Sequence, residues 1–239
     1  MNQKQSWKIR IGDFFFKYRA VSPIPFILIL FFFFTPRDLG ESNILVNLIG
    51  FAVVILGLST RIIAVGYSHM GTSGRENFLR AENLNHDGIY SMTRNPLYLG
   101  NFLVYNGLLI VFASPWAFIP FNIYLVVLYT FIIHSEENYL KGQYGEKYLE
   151  YMKRTPRVVP GFSNFRKPEN RFSLKKVLFK EKNSVYYSMT FFMIIMIYKE
   201  YLLNAGVIEK TQILIYAGIA LFCINILLVV LKGRHFPHS

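Results

Sequence analysis

Between Gly88 and Gly100 the chain reads GIYSMTRNPLYLG, and after an apolar hairpin it presents two adjacent carboxylates, Glu136 and Glu137. Residues of these types suit a polar pocket at the mouth of membrane helices. Asn95 can cap a helix by accepting a backbone N–H, and Pro96 suits the first helical position, so a helix is expected to start there with its free N–H groups facing water. Such an end attracts anions. Arg94 adds a guanidinium able to hold a carboxylate. Glu136 or Glu137 can take an ammonium or a pair of ribose hydroxyls, Gly88 and Gly100 permit close approach, and Tyr90 or Tyr98 can stack on a purine or face a sulfonium.

The elements that must position these groups are apolar. With 239 residues, 53% hydrophobic content and 23 Phe, the chain reads as an all-α, polytopic transmembrane protein. About six spans are expected, near 20–35, 44–65, 97–113, 116–134, 186–203 and 212–231: a four-helix core followed by a C-terminal hairpin. Residues 1–185 are read as the core with its pocket, and 186–239 as the hairpin. The first span is short and carries Pro23 and Pro25, which predicts tilting or a kink. No small-x-small pattern follows Phe34, so this segment is read as an anchor rather than a cleaved leader.

A net charge of +12 would point a soluble chain toward nucleic acid, but here the charges alternate with the spans. If the N-terminus is cytoplasmic, 22 of the 26 basic residues fall in inner segments, twelve of them between Lys141 and Lys182, whereas the outer loops hold Arg37, Lys199 and Lys210. The positive-inside rule then puts both termini and the pocket in the cytoplasm, and nucleic acid is not an expected partner. Arg61 lies within the second span and is read as snorkelling or as part of a polar pathway. The one cysteine, Cys223, sits in the last apolar span, and the five histidines show no ligand spacing, so no metal is expected. GTSGR at 71–75 lacks a Walker lysine, and no GxGxxG is present.

Ser114-Pro115 breaks the third and fourth spans into a tight hairpin, because Pro115 disfavours helix at the preceding residue. The hairpin carries Arg94-Asn95-Pro96 where it begins and Glu136-Glu137 where it leaves, which brings the two motifs together. After it, Leu140, Tyr144, Tyr148, Tyr151 and Met152 recur at helical spacing, as expected of an amphipathic interfacial helix that roofs the pocket. Residues 162–184 read as a polar, basic surface loop.

This donor and acceptor set matches S-adenosylmethionine, which carries a carboxylate, an ammonium, ribose hydroxyls, a purine and a sulfonium. The ordered motifs LxxxGxYxxxRNPxYxG at Leu84–Gly100, SEENYL at Ser135–Leu140 and YGEKYLEYMKRTPRVVP at Tyr144–Pro160 resemble the isoprenylcysteine carboxyl methyltransferase and phospholipid methyltransferase family of integral membrane enzymes. The resemblance covers roughly residues 75–160. It implies that Leu84, Gly88, Tyr90, Arg94, Asn95, Pro96, Tyr98, Gly100, Glu136 and Glu137 line a cytoplasmic S-adenosylmethionine pocket, with a lipid or lipidated substrate entering laterally from the bilayer. Eukaryotic isoprenylcysteine enzymes usually read Arg-His-Pro and carry a histidine where Glu82 stands; Asn95 is familiar among bacterial-type and phospholipid-directed relatives. Methyl transfer from a sulfonium depends on alignment and water exclusion. An acceptor carboxylate needs only orientation, for which Arg157 or Arg154 is suited, whereas an amine or thiol must first lose a proton. Carboxylate, amine and thiol acceptors all stay open, as does an NADPH-dependent sterol-reductase-like enzyme; a non-enzymatic scaffold or transporter would need a polar pathway along the spans.

Overall fold

The computed structural model describes residues 6–19, 21, 23–69 and 83–203. The expected span at 212–231, the GTSGR segment, Glu82 and Cys223 lie outside the described residues. Within them the regular elements are helical: α1 (Trp7–Tyr18), α2 (Pro23–Phe33), α3 (Ser42–Tyr67), α4 (Ile89–Met92), α5 (Pro96–Phe112), α6 (Pro115–Tyr144), α7 (Glu146–Arg154), α8 (Leu174–Lys180) and α9 (Lys182–Leu203). Two of them, α3 and α6, are long and apolar enough to cross a bilayer, and α5 is a shorter apolar helix. The first expected span is an 11-residue helix, α2. At 1.5 Å per residue it is about 17 Å long, short of the roughly 30 Å hydrocarbon layer.

Helices α3 and α5 pack most closely, and glycine is the reason. A methyl on Gly57 would lie 2.6 Å from the Gly100 carbonyl oxygen, and one on Gly107 would lie 2.6 Å from that of Gly50. The seven-residue spacing on both helices repeats the contact every two turns, so the antiparallel backbones meet at two levels. Small residues are what allow helices to approach this closely where no water-driven force helps them.

The hairpin forms where Ser114-Pro115 predicts it. Ala113 turns through the left-handed region at φ 56°, Ser114 occupies the N-cap position and Pro115 starts α6. That helix does not end near His134 as expected but continues to Tyr144. Its 30 residues measure about 45 Å, so its last turns overrun any ordinary hydrocarbon layer and carry Glu136 and Glu137 inside a continuous helix. Gly145, at φ 53°, then turns the chain into α7, so the expected amphipathic helix is divided, with Leu140 and Tyr144 on α6.

Two contacts tie outlying helices to the bundle. Helix α1 crosses α6 at Gly12, where a methyl would collide with the Phe131 carbonyl oxygen, and Asp13 accepts a hydrogen bond from Ser135. Arg61, on α3, is not a snorkelling residue: its Nε and Nη2 reach the two oxygens of Glu181 at 2.8 and 2.9 Å, and Nη1 donates to Asn101 on α5. Nη2 also donates to Ser184 at 3.1 Å. The guanidinium thus joins α3 and α5 to the α8–α9 junction.

Placing Val at position 107 pushes a branched side chain toward the Val54 backbone nitrogen, 2.7 Å from where the Cβ would stand. Gly107→Val is therefore expected to destabilise the detergent-purified protein by about 1–3 kcal/mol, the usual cost of overpacking. Gly142→Ala, with nothing within 4 Å of the added carbon, is the control and should stay within about 0.5 kcal/mol of wild type. Indistinguishable thermal melts for the two variants would remove the glycine contacts as the basis of α3–α5 packing.

Candidate active site

The chain before α5 and the chain after α7 run alongside each other and are fastened largely through backbone groups. Arg94 N–H donates to the Pro156 carbonyl and Gly161 N–H to that of Met92, both at 2.9 Å. Thr93 Oγ1 donates to the Val158 carbonyl at 2.9 Å, and Asn95 Nδ2 donates to that of Arg157 at 2.8 Å. Asn95 therefore holds the N-cap position of α5 without capping it through its side chain. The expected cap is replaced because the neighbouring segment offers the Arg157 carbonyl, and an amide NH2 satisfies it directly. Gly88 anchors the other end of this arrangement. Its φ of 54° favours glycine, its N–H donates to the Arg166 carbonyl at 2.9 Å, and a Cβ there would lie 3.1 Å from Pro168.

These fastenings bring Arg94 and Arg157 to opposite sides of one carboxylate. Arg94 Nη2 lies 3.2 Å from Glu137 Oε1 and Arg157 Nε lies 3.2 Å from Glu137 Oε2, with the Arg94 and Glu137 side chains only 9% and 8% exposed. The contacts are close but poorly directed. Arg94 Nε and Nη1, Arg157 Nε and Glu137 Oε1 are buried without a hydrogen-bonding partner in the protein. Two guanidiniums around one carboxylate leave a formal excess of one positive charge, and buried donors of this kind are costly unless something else meets them. The cluster is suited to receive a carboxylate on its arginines and a donor on Glu137.

Consecutive helical residues point about 100° apart, and the two glutamates divide accordingly. Glu136 turns toward α5, where Tyr98 Oη donates to its Oε1 at 2.8 Å and the Tyr98 ring packs 5.2 Å from that of Tyr129. They are not a paired carboxylate unit. Above the cluster, Leu84, Tyr148 and Tyr151 form a small apolar core with Leu140, Tyr144 and Met152 against it. Tyr151 Oη donates to the Tyr90 carbonyl at 2.6 Å. Burial, with the Glu137 charge second, raises the Tyr148 phenol far above its ordinary pKa, which leaves it a neutral group at any physiological pH.

The structure thus gathers Leu84, Gly88, Tyr90, Arg94, Asn95, Tyr98, Glu136, Glu137 and Arg157 at one end of the bundle, with Pro96 buried in the first turn of α5. Gly100 faces α3 instead: a Cβ would stand 2.5 Å from Arg61 Cγ, so its bareness makes room for the Arg61 side chain. Arg154 is exposed on α7, and its carbonyl accepts from Asn164. Sequence reasoning missed Asp87, Ser91 and Thr93, buried residues at the unspecified positions of the motif. Asp87 Oδ2 accepts from Glu169 N–H at 2.6 Å and Ser91 Oγ from Arg166 N–H at 2.8 Å. Their small polar side chains, set between the motif's glycine, tyrosine and arginine, were the available signal. No group of three or more potential metal ligands occurs among the described residues.

Residues 45–147 match the family model described as phospholipid methyltransferase. The chain is 32% identical over 117 residues to protein-S-isoprenylcysteine O-methyltransferase B of Arabidopsis thaliana, covering 46% of this chain and 57% of the relative. It is 30% identical over 121 residues to protein-S-isoprenylcysteine O-methyltransferase of Saccharomyces cerevisiae, covering 48% of this chain and 49% of that one. The chain spans about half the length of these curated relatives, and no solved structure matches it. The similarity to phospholipid and isoprenylcysteine methyltransferases thus runs through the central region of the chain. The apolar helices α3 and α6 fit a membrane protein.

Removing the Glu137 charge leaves Arg94 and Arg157 facing each other across a buried gap. Glu137→Gln is expected to lower stability by roughly 3–5 kcal/mol, as when one partner of a buried pair is lost. Adding Arg157→Gln should recover part of that loss, because it relieves the repulsion. Additive effects in thermal melts of the single and double variants would mean that the three charges do not act as one cluster.

Proposed function

We propose that the chain transfers a methyl group from S-adenosylmethionine to a lipid-like acceptor dissolved in the bilayer. The observation that carries this reading is the buried set of unsatisfied groups on Arg94, Arg157 and Glu137. Its donors fit an amino-acid carboxylate and Glu137 Oε1 fits an ammonium or a ribose hydroxyl, the two kinds of group such a cofactor presents together. When bound, the cofactor supplies an electrophilic methyl on a sulfonium. The first turn of α5, uncapped by a side chain, adds N–H groups to the anion side. Tyr98 and Glu136 line the α5–α6 side, and the Leu84–Tyr148–Tyr151 core excludes water from above, which favours a reaction that disperses charge. Arg157, at the cluster, is the residue assigned to orient an acceptor carboxylate; Arg154, exposed on α7, is not. A carboxylate acceptor needs no base, so among the open acceptors a prenylcysteine-type carboxylate asks least of these residues.

The proposal includes a multi-pass topology with the cofactor site on the cytoplasmic side; a sixth crossing requires α2 to be completed by the residues that flank it. The distribution of basic residues supports it.

Calorimetric titration of detergent-purified protein is expected to detect S-adenosylmethionine or S-adenosylhomocysteine, and no NADPH. Arg94→Ala and Glu137→Gln, each still melting cooperatively, should weaken that binding roughly tenfold or more, since each removes a charge-assisted contact of about 1.5–3 kcal/mol. Saturable NADPH binding without a response to S-adenosylhomocysteine would move the protein to the reductase class.

Topology is testable separately. In a Cys223→Ser background, cysteines at Asn83, Glu146 and Lys167 should be labelled from the cytoplasmic side and one at Gly40 from the opposite side. Labelling of positions 83 and 146 from opposite faces would put about 30 Å of hydrocarbon between the two halves of the site and end the proposal.

A further inference from the structure

From Val159 to Lys180, beyond the family-matched region, the chain carries six basic residues and one acidic residue. It also carries six exposed large apolar side chains: Val159, Phe162, Phe165, Phe172, Leu174 and Leu178. Val159 and Phe162 are 78% and 76% exposed. A solvated loop, which composition alone suggests, does not hold so much apolar surface outward. Nor is the segment loose. Its backbone is bonded inward, through Gly161 to Met92, Arg166 to Gly88 and Ser91, Glu169 to Asp87, and Ser173 to Gly66. A short 3-10 turn at Phe162–Asn164 and α8 stiffen it further. On α8, Leu174 and Leu178 share one exposed face, while Val177 faces inward. The inner side of the segment is therefore committed to the bundle, with Phe172 against Tyr67, and the other apolar side chains are held outward beside the exposed Arg166, Lys167 and Arg171.

We infer that residues 159–180 are an in-plane strap seated in the membrane interface, with Phe162, Phe165, Leu174 and Leu178 inserted among acyl chains and Arg166, Lys167 and Arg171 on anionic lipid headgroups. Charge selects the occupant. Apolar side chains alone would accept any bilayer, whereas a run this basic draws anionic lipid to itself. The surface adjoins the bundle, because the strap is fastened to the C-terminal end of α3 and to α4 and leads directly into α9. The same backbone is fastened next to the Arg94–Glu137–Arg157 cluster in sequence, through Gly161 to Met92 and Arg166 to Gly88 and Ser91. The inference rests on the membrane-embedded part of the reading above and not on the cofactor.

The test places a reporter on the strap. The two native tryptophans are replaced, Trp7→Phe and Trp116→Phe, and Phe162→Trp is introduced; a second version carries Leu174→Trp, so that a folding failure of one leaves the other. In vesicles of zwitterionic lipid with a minor anionic fraction, both reporters should be quenched by brominated acyl chains and protected from acrylamide. Bromine carried on the anionic component should quench more strongly, through local enrichment of roughly fivefold, the factor expected for one basic side chain at such a surface. Arg166→Gln with Lys167→Gln and Arg171→Gln should abolish that preference but keep the protection. Acrylamide access without bromolipid quenching overturns the membrane seat, and equal quenching by anionic and zwitterionic bromolipids overturns the assigned headgroup. Quenching as expected in a protein that binds no S-adenosylmethionine would leave this inference standing and fail the methyltransferase reading alone.

Discussion

A single carboxylate, Glu137, joins by charge three parts of the chain that backbone hydrogen bonds have already brought together. It projects from the late turns of α6 and lies 3.2 Å from guanidiniums on the approach to α5 and on the exit from α7. Burying a carboxylate in this way is tolerable only with compensating charge. Here compensation goes one charge too far. The excess and its unsatisfied donors convert a structural joint into a place where an anionic group is stabilised, and the same geometry that closes the roof prepares the pocket.

The joint works only if α5 and α6 hold their relative height. Two glycine contacts set the α3–α5 distance at the backbone, where side-chain rearrangement cannot alter it. Arg61, also on α3, adds a polar tie to the same face of α5. Its stem crosses the bare Gly100 and its head is shared between Asn101 and Glu181. The α8–α9 junction thereby completes the ion pair of a residue in the family-matched region, and buried charge makes that contact more demanding than apolar packing would be.

Much of this was legible in local sequence. Pro115 and Pro96 mark helix starts because proline acts on its own backbone, and the motif spacing places Arg94 and Glu137 at the same end of a hairpin. What could not be read depends on partners far along the chain. Asn95 looks like a cap until a carbonyl 62 positions away accepts its amide hydrogen. Arg61 looks like a snorkelling residue until Glu181, 120 positions away, reaches it. Glycines at 57 and 100 read as permissive residues, and their meaning appears only when the two helices are set side by side. The length of α6 was missed because polar residues after His134 mark the end of an apolar stretch, which is not the end of a helix.

The roof is attached mainly by backbone hydrogen bonds, at Arg94 to Pro156, Gly161 to Met92 and Gly88 to Arg166, with Thr93 and Asn95 reaching carbonyls of the opposite segment. Contacts made to carbonyls and amides do not depend on which side chains the roof displays outward. Its floor, by contrast, is made of named side chains: the Arg94 and Glu137 charges, and the Tyr98 hydroxyl on Glu136. The chemistry of the pocket and the chemistry of the outer surface are thereby separated within a single layer of chain. The exposed side chains of residues 159–180 can therefore differ in character from the pocket while the inward backbone keeps the shape of the site.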